Sequence, residues 1–180
     1  MFAVAFEVFP SETGYQRYLD IAAALRAKLD QIDGFLSVER FRSLTDPGWI
    51  LSLSLWRDEA ALVRWRSDGE HHAAQAEGRA SVFNDYRIRV IRIAEDADTA
   101  AGAVVGLREY PAIADSGKRF KSLVDPEKEI VLAELSDTEA IRAWQETAST
   151  GRSFCGCVVR DYSLFERAAA PQVFPAAVRG

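Results

Sequence analysis

Histidine and cysteine are scarce in this 180-residue chain, with two of each. Two thiols cannot build a disulfide framework. Cys155 and Cys157, in SFCGCVVRDY, have no histidine or further cysteine nearby and make a poor metal site. On a strand they would point to one face and serve as small core residues. A redox pair is the alternative, and nothing else in the sequence supports it. Basic residues are too few for a nucleic-acid binder, which needs a stripe of cations for the phosphates: 22 Lys and Arg stand against 27 Asp and Glu, for a net charge of −5. No apolar run approaches the roughly 20 residues that span a bilayer. The start, MFAVAFEVFPSE, lacks the basic region and cleavage site of a signal peptide, so no membrane role and a cytoplasmic setting are expected. What is present, 48% hydrophobic and 27% charged residues, suits a folded domain with a proper core.

Periodicity orders the chain. Residues 2–9 alternate as a strand. Tyr15, Tyr18, Leu19, Ala22, Leu25 and Leu29 recur at helical spacing, which predicts a helix over 11–32 with Ser11 as N-cap and Asp33-Gly34 as its stop. FLSVERF reads as a strand, TDPGW as a turn, and WILSLSLW as a strand with Leu51, Leu53 and Leu55 on one face. RDEAALVRWRSD carries Ala61, Leu62 and Trp65 on one helical stripe, and HHAAQAEGRA continues as a helix or forms a second short one. VFNDYRIRVIRI closes the unit as a strand on which Tyr86, Ile88 and Val90 share a face. The order β-α-β-β-α-β predicts an α+β fold, a ferredoxin-like split βαβ unit with an antiparallel sheet and both helices on one side.

That unit occupies residues 1–94, and the acidic, small-residue stretch 95–102 reads as a linker. A degenerate, truncated second copy follows over 103–168, and residues 169–180 form a tail. The copies align with a constant offset: Phe41 with Phe120, Asp46-Pro47 with Asp125-Pro126, Asp58 with Asp137, Trp65 with Trp144. After a three-residue deletion, Asp85-Tyr86 meets Asp161-Tyr162. The second copy has too few residues after AVVGLREY for a long first helix. It has no histidine after Trp144.

Four features of the first unit carry a resemblance: Leu55-Trp56 ending the third strand, Trp65 in the following helix, the H-x-A-Q…G-R segment over 72–79, and the terminal DYRIRV. The unit resembles the antibiotic biosynthesis monooxygenase (ABM) domain of the dimeric α+β barrel superfamily. The resemblance implies that the open sheet face packs on another such face, in a homodimer or an intrachain pseudo-dimer. It also implies a small aromatic substrate held between sheet and helices, which serves as its own electron donor to O2 without a cofactor. The haem-degrading branch of the family needs an Asn on the first strand, a Trp in the second helix and an axial His about ten residues later. Trp65 fits, but Gln75 stands at the His position, Phe6 and Glu7 stand where Asn is wanted, and His71 and His72 fall about one turn early. Haem degradation is therefore the runner-up, and no cofactor is expected.

The candidate catalytic residues are His72 as general base, Arg79 to steady an anion, and Trp65 as a pocket wall. His72, Gln75 and Arg79 share a helix face, with His71 pointing away. Gln75, Glu7, Tyr86 and His71 are the candidate substrate contacts. Each has an ordinary alternative. Charged helix faces are commonly just solvated, and Trp65, like its twin Trp144, fits a core stripe. Glu7, if it faces inward, is either paired or functional, and Arg87 and Arg89, which share a strand face, form a polar rim or pair with Glu and Asp rather than an anion site. A metal site needs three or four convergent ligands, and two adjacent histidines on a helix do not supply them. A catalytically silent binding or assembly protein of the same fold is the alternative to an oxygenase.

Overall fold

The computed structural model describes residues 1–94, 97–99, 102–112, 115–171, 174 and 177. Its first half runs β1 (Phe2–Pro10), α1 (Gly14–Ala24), α2 (Arg26–Leu29), β2 (Phe35–Ser43), β3 (Ile50–Trp56), α3 (Glu59–Arg66), α4 (Gly69–Glu77), a π-helical turn (Gly78–Val82) and β4 (Phe83–Ile93). Its second half runs β5 (Val104–Glu109), β6 (Lys118–Ser122), β7 (Glu129–Leu135), α5 (Thr138–Glu146) and β8 (Ser153–Ser163).

Strand alternation sorts side chains into two compartments. Ala3 and Ala5 of β1, Leu51, Leu53 and Leu55 of β3 and Ile91 of β4 join Leu107, Phe120, Ile130 and Leu132 of the second half in one core. That core is the inside of a closed barrel with strand order β1-β3-β2-β6-β7-β5-β8-β4, every neighbouring pair antiparallel. The two halves meet along a short seam, Phe41↔Ser122 to Ser43↔Phe120, and a long one, Arg87↔Ser163 to Ile93↔Gly156. The two sheet faces expected to oppose each other do so within one chain. Among the described residues, closure leaves no strand edge without a partner strand, which removes the templates on which edges aggregate.

The long first helix differs from the expectation over 11–32. The Ser11 N–H donates to the Val82 carbonyl (2.8 Å) and its hydroxyl to the Ser81 carbonyl (3.4 Å), so residues 11–13 are held as a turn and Thr13 takes the cap position. A one-residue break at Leu25 separates α1 from α2. The stop at Asp33-Gly34 is where expected: Gly34 has φ +88°, a conformation glycine adopts without a Cβ penalty.

The internal repeat is structural. Asp58 caps α3 through the Ala61 N–H, and Asp137 caps α5 through the Ala140 N–H, both at 2.8 Å. Among the described residues no helix stands between β5 and β6. Cys155 and Cys157 are both buried, in the cluster around Trp144. Of the expected linker 95–102, residues 95, 96, 100 and 101 lie outside the described residues, as does most of the tail beyond 171.

The second copy has closed over its own sheet. The Trp144 indole lies on Gly106 so tightly that a Cβ there would sit 2.4 Å from the ring. The buried Arg108 guanidinium stacks 4.1 Å from that ring and donates to the Trp144 carbonyl at 2.6 Å. Gly106→Ala is expected to cost about 1–3 kcal/mol, because overpacking forces a rigid ring and its strand apart. The urea midpoint should fall at unchanged slope.

Candidate active site

The outward face of the first-unit sheet remains open to a ligand. Phe6 of β1, Trp56 of β3, and Tyr86, Ile88 and Val90 of β4 face the helices, which contribute Tyr18, Leu29, Leu62 and Trp65. Between these layers lies a cavity of about 230 Å³. Pockets for drug-sized ligands run to roughly 300–1,000 Å³. This one suits a smaller ring compound.

The phase of α4 is set by a fresh start. The Asp68 carboxylate accepts from the backbone N–H groups of Glu70 (3.0 Å) and His71 (3.1 Å), so α4 is capped independently of α3. This corrects the expected facing of the two histidines. His71, together with Gln75 and Arg79, lines the cavity, and the exposed His72 instead stacks on Phe174 at 5.0 Å. One residue is about 100° of helix rotation, and the new cap supplies that offset. Glu7 is also placed elsewhere. Its side chain points into the barrel, where it is 2% exposed and pairs with the equally buried Arg89 (2.5 Å) and with Lys118 (3.0 Å). Arg87 pairs with Asp161 at 2.6 Å. Trp65, Gln75 and Tyr86 line the cavity.

His71 is tightly specified. Its ring stacks on Trp65 with centroids 4.2 Å apart, and its Nδ1 lies 3.0 Å from the Trp65 carbonyl oxygen. A carbonyl can only accept, so Nδ1 carries the proton and Nε2 keeps its lone pair. Burial lowers the His71 pKa from 6.5 to about 4, so the imidazole is neutral at pH 7. The Gln75 Oε1 is buried and has no hydrogen-bond partner among the described residues. Arg79 sits on the π-helical turn, closed by the Phe83 N–H on the Gly78 carbonyl five residues back. Such widened turns recur at functional sites.

Five arginines line the cavity: Arg40, Arg66, Arg79, Arg160 and Arg167. No Asp or Glu is among the described lining residues. Of these, Arg160 is paired with Glu59 at 2.6 Å. Arg160 and Tyr162 come from β8, and Arg167, Pro171 and Phe174 from the segment after it. Apart from Arg79 these arginines carried no usable signal. Only Tyr162 was marked, as the repeat partner of Tyr86. Among the described residues no group of three His, Cys, Asp or Glu side chains could hold a metal ion, and no helix is long and apolar enough to cross a membrane.

Fold and site together define a one-chain α+β barrel with a helix-covered cavity on one of its two halves. Residues 1–77 match the antibiotic biosynthesis monooxygenase family. The chain is 37% identical to the jasmonate monooxygenase ABM of Pyricularia oryzae, over 98% of this chain and all of that one. It is 35% identical to the uncharacterized protein YqjZ of Bacillus subtilis, over 51% of this chain and 78% of that one. A crystal structure of an antibiotic biosynthesis monooxygenase, 20% identical, superposes with a TM-score of 0.46 over 52% of this chain and 99% of that one. The chain belongs to the antibiotic biosynthesis monooxygenase family. Its class is that of an ABM-type monooxygenase, with a small-molecule substrate and O2 as reactants.

Proposed function

We propose that this protein oxygenates a small, electron-rich ring compound with an acidic C–H, using O2 and neither metal nor organic cofactor. The observation that supports this most is the neutral His71, whose Nε2 lone pair is left without a protein partner among the described residues in an apolar, aromatic cavity. Nε2 takes a proton from a ring CH2 that is conjugated to a carbonyl or phenol. The resulting carbanion gives its electrons to O2 and forms a hydroperoxide. The imidazolium returns its proton, and loss of water leaves a carbonyl: CH2 + O2 → C=O + H2O. All electrons come from the substrate. A low-pKa imidazole suits the second half of this sequence, because its conjugate acid readily protonates departing hydroxide.

Arg79 opposes the negative charge that develops on the ring oxygen. The Gln75 carboxamide, with its buried unpartnered oxygen, orients a substrate hydroxyl. Trp65 acts as a wall that fixes the His71 ring. A cavity of about 230 Å³ is too small for a porphyrin, and position 75 carries a carboxamide where the haem-degrading relatives carry a ligand, so haem has no part in the proposal. The acting unit is one chain in the cytoplasm, where the two buried free thiols stay reduced.

The test is an oxygen-electrode assay with anthrone, using protein dialysed against a chelator. One O2 consumed per anthrone, with anthraquinone as product, is expected. Absence of uptake across a panel of anthrones and naphthols, or uptake only after metal or haem is added, would sink the reading.

A further inference from the structure

We propose that Tyr162, from the second half of the chain, is a catalytic residue: its phenol donates a hydrogen bond to a carbonyl oxygen of the bound ring compound and stabilises the charge that gathers there when the adjacent C–H is deprotonated. This rests on reading the helix-covered cavity as an oxygenase site. Tyr18, Tyr86 and Tyr162 all line that cavity. The Tyr18 hydroxyl accepts from Arg40 at 3.2 Å, and the Tyr86 hydroxyl accepts from Arg79 and Arg167. The hydroxyl of the half-buried Tyr162 has no hydrogen-bond partner among the described residues. Burial, and then Tyr86, push its pKa above the ordinary value of 10 against the pull of Arg167, Arg66 and Arg160. At neutral pH it therefore keeps its proton and can donate it to a ligand.

A β-bulge puts Tyr162 there. Earlier in β8, Phe154 and Val158 pack against the barrel core, while Cys155 and Cys157 cluster with Trp144 on the other face. Strict alternation would keep positions 160 and 162 on the barrel side. The register against β4 instead jumps from Ile91↔Val158 to Val90↔Arg160, which leaves Val159 as an extra residue without a β4 partner. Beyond it the faces exchange, as bulges beside active sites often arrange. Asp161 now opposes Arg89 and binds Arg87. Tyr162 opposes Ile88, a floor residue of the cavity.

The polar groups across the cavity complement this donor. On α4, His71 Nε2 keeps its lone pair and Gln75 Oε1 has no partner among the described residues, so that side offers acceptors. A ring carbonyl compound with an acidic C–H fits both sides. When Nε2 takes the proton, the C–H electron pair becomes the C=C bond of an enolate and the carbonyl pair moves onto oxygen. Tyr162 keeps its own proton and shares it with that oxygen, in a bond that strengthens as the charge develops.

The test is Tyr162→Phe, which removes the hydroxyl and keeps the ring. Because that hydroxyl bonds to no described protein group, the urea midpoint should stay at the wild-type value. With anthrone, kcat for oxygen uptake should fall about 10²-fold, as for loss of one oxyanion donor. KM should change little, since the bond is made chiefly in the transition state. Binding is read separately by infrared difference spectroscopy of 1-indanone carrying carbon-13 at its carbonyl. The C=O stretch should move to lower frequency on binding the wild type, and should lie near its value in an aprotic solvent when bound to Tyr162→Phe. An unchanged kcat, an effect on KM alone, no bound ketone, or the same C=O stretch in both proteins would overturn the proposal. So would a lowered midpoint, which would mean that the hydroxyl serves the fold. A hydroxyl-dependent shift of the ketone without oxygen uptake by any substrate would support the donor and defeat the oxygenase reading. Equal oxygen uptake by both proteins would do the reverse.

Discussion

His71→Ala is expected to lower kcat for oxygen consumption by about 10²–10⁴-fold, the range over which a positioned general base acts, while His72→Ala stays within about twofold, as surface changes usually do. The two residues are adjacent and chemically identical, so the contrast isolates position. His71 lines the cavity with its Nδ1 fixed by the Trp65 carbonyl, and His72 lies outside against Phe174. The pH dependence gives a second signature. A base of ordinary pKa would lose activity below about 6.5, whereas His71 should hold activity down to its pKa of about 4. The stability linkage has a definite sign. Between pH 6.5 and 4 the unfolded chain takes up a proton that the folded chain refuses, so stability falls as pH falls through that window. Above pH 6.5 His71 is neutral in both states and adds no slope. NMR titration of the imidazole, with urea melts of wild type and His71→Gln from pH 4 to 7, measures both. An imidazole titrating near 6.5 that His71→Gln removes would contradict this.

Cutting the chain after residue 94 is expected to abolish the soluble monomeric fold. The fragment would keep β1 to β4 with their helices, yet the face carrying Ala3, Ala5, Leu51, Leu53, Leu55 and Ile91 would lose Leu107, Phe120, Ile130 and Leu132, its partners in the barrel core. Burial contributes roughly 1.5–3 kcal/mol per large apolar side chain, so exposing Leu51, Leu53, Leu55 and Ile91 costs about 6–12 kcal/mol, comparable with the whole stability of a typical domain, about 5–15 kcal/mol. The fragment would also bare the β2 and β4 edges now paired to β6 and β8. Light scattering should find dimers or aggregates, and co-expression with residues 95–180 should restore a heterodimeric barrel. A stable 1–94 monomer with a sharp thermal transition would refute the shared core.

Element types were legible because their determinants are local. The alternation of WILSLSLW, the caps at Asp58 and Asp137 and the left-handed Gly34 each act within a few residues. The repeat also identified Trp65 with Trp144 and Tyr86 with Tyr162. What misled was the facing of α4. His72, Gln75 and Arg79 share a helical face on paper, and so do His71, Gln75 and Arg79. Only the Asp68 cap and the Trp65 stack choose between them. Glu7 misled for a related reason: alternation fixes that it opposes Phe6, and which side becomes barrel interior depends on a partner strand far along the chain.

By itself the sequence determined the α+β class, the strand order along the chain, the duplication and the ABM relationship, since these follow from periodicity, capping and matched residues read in line. Tertiary structure alone decided that the barrel closes within one chain. It also decided that Trp144 seals the second half against Gly106, while the first half keeps a cavity, and that Arg167 reaches Tyr86 from 81 residues away. Such facts depend on which side chains occupy the same volume once the sheet has closed, and no spacing within a single element records that.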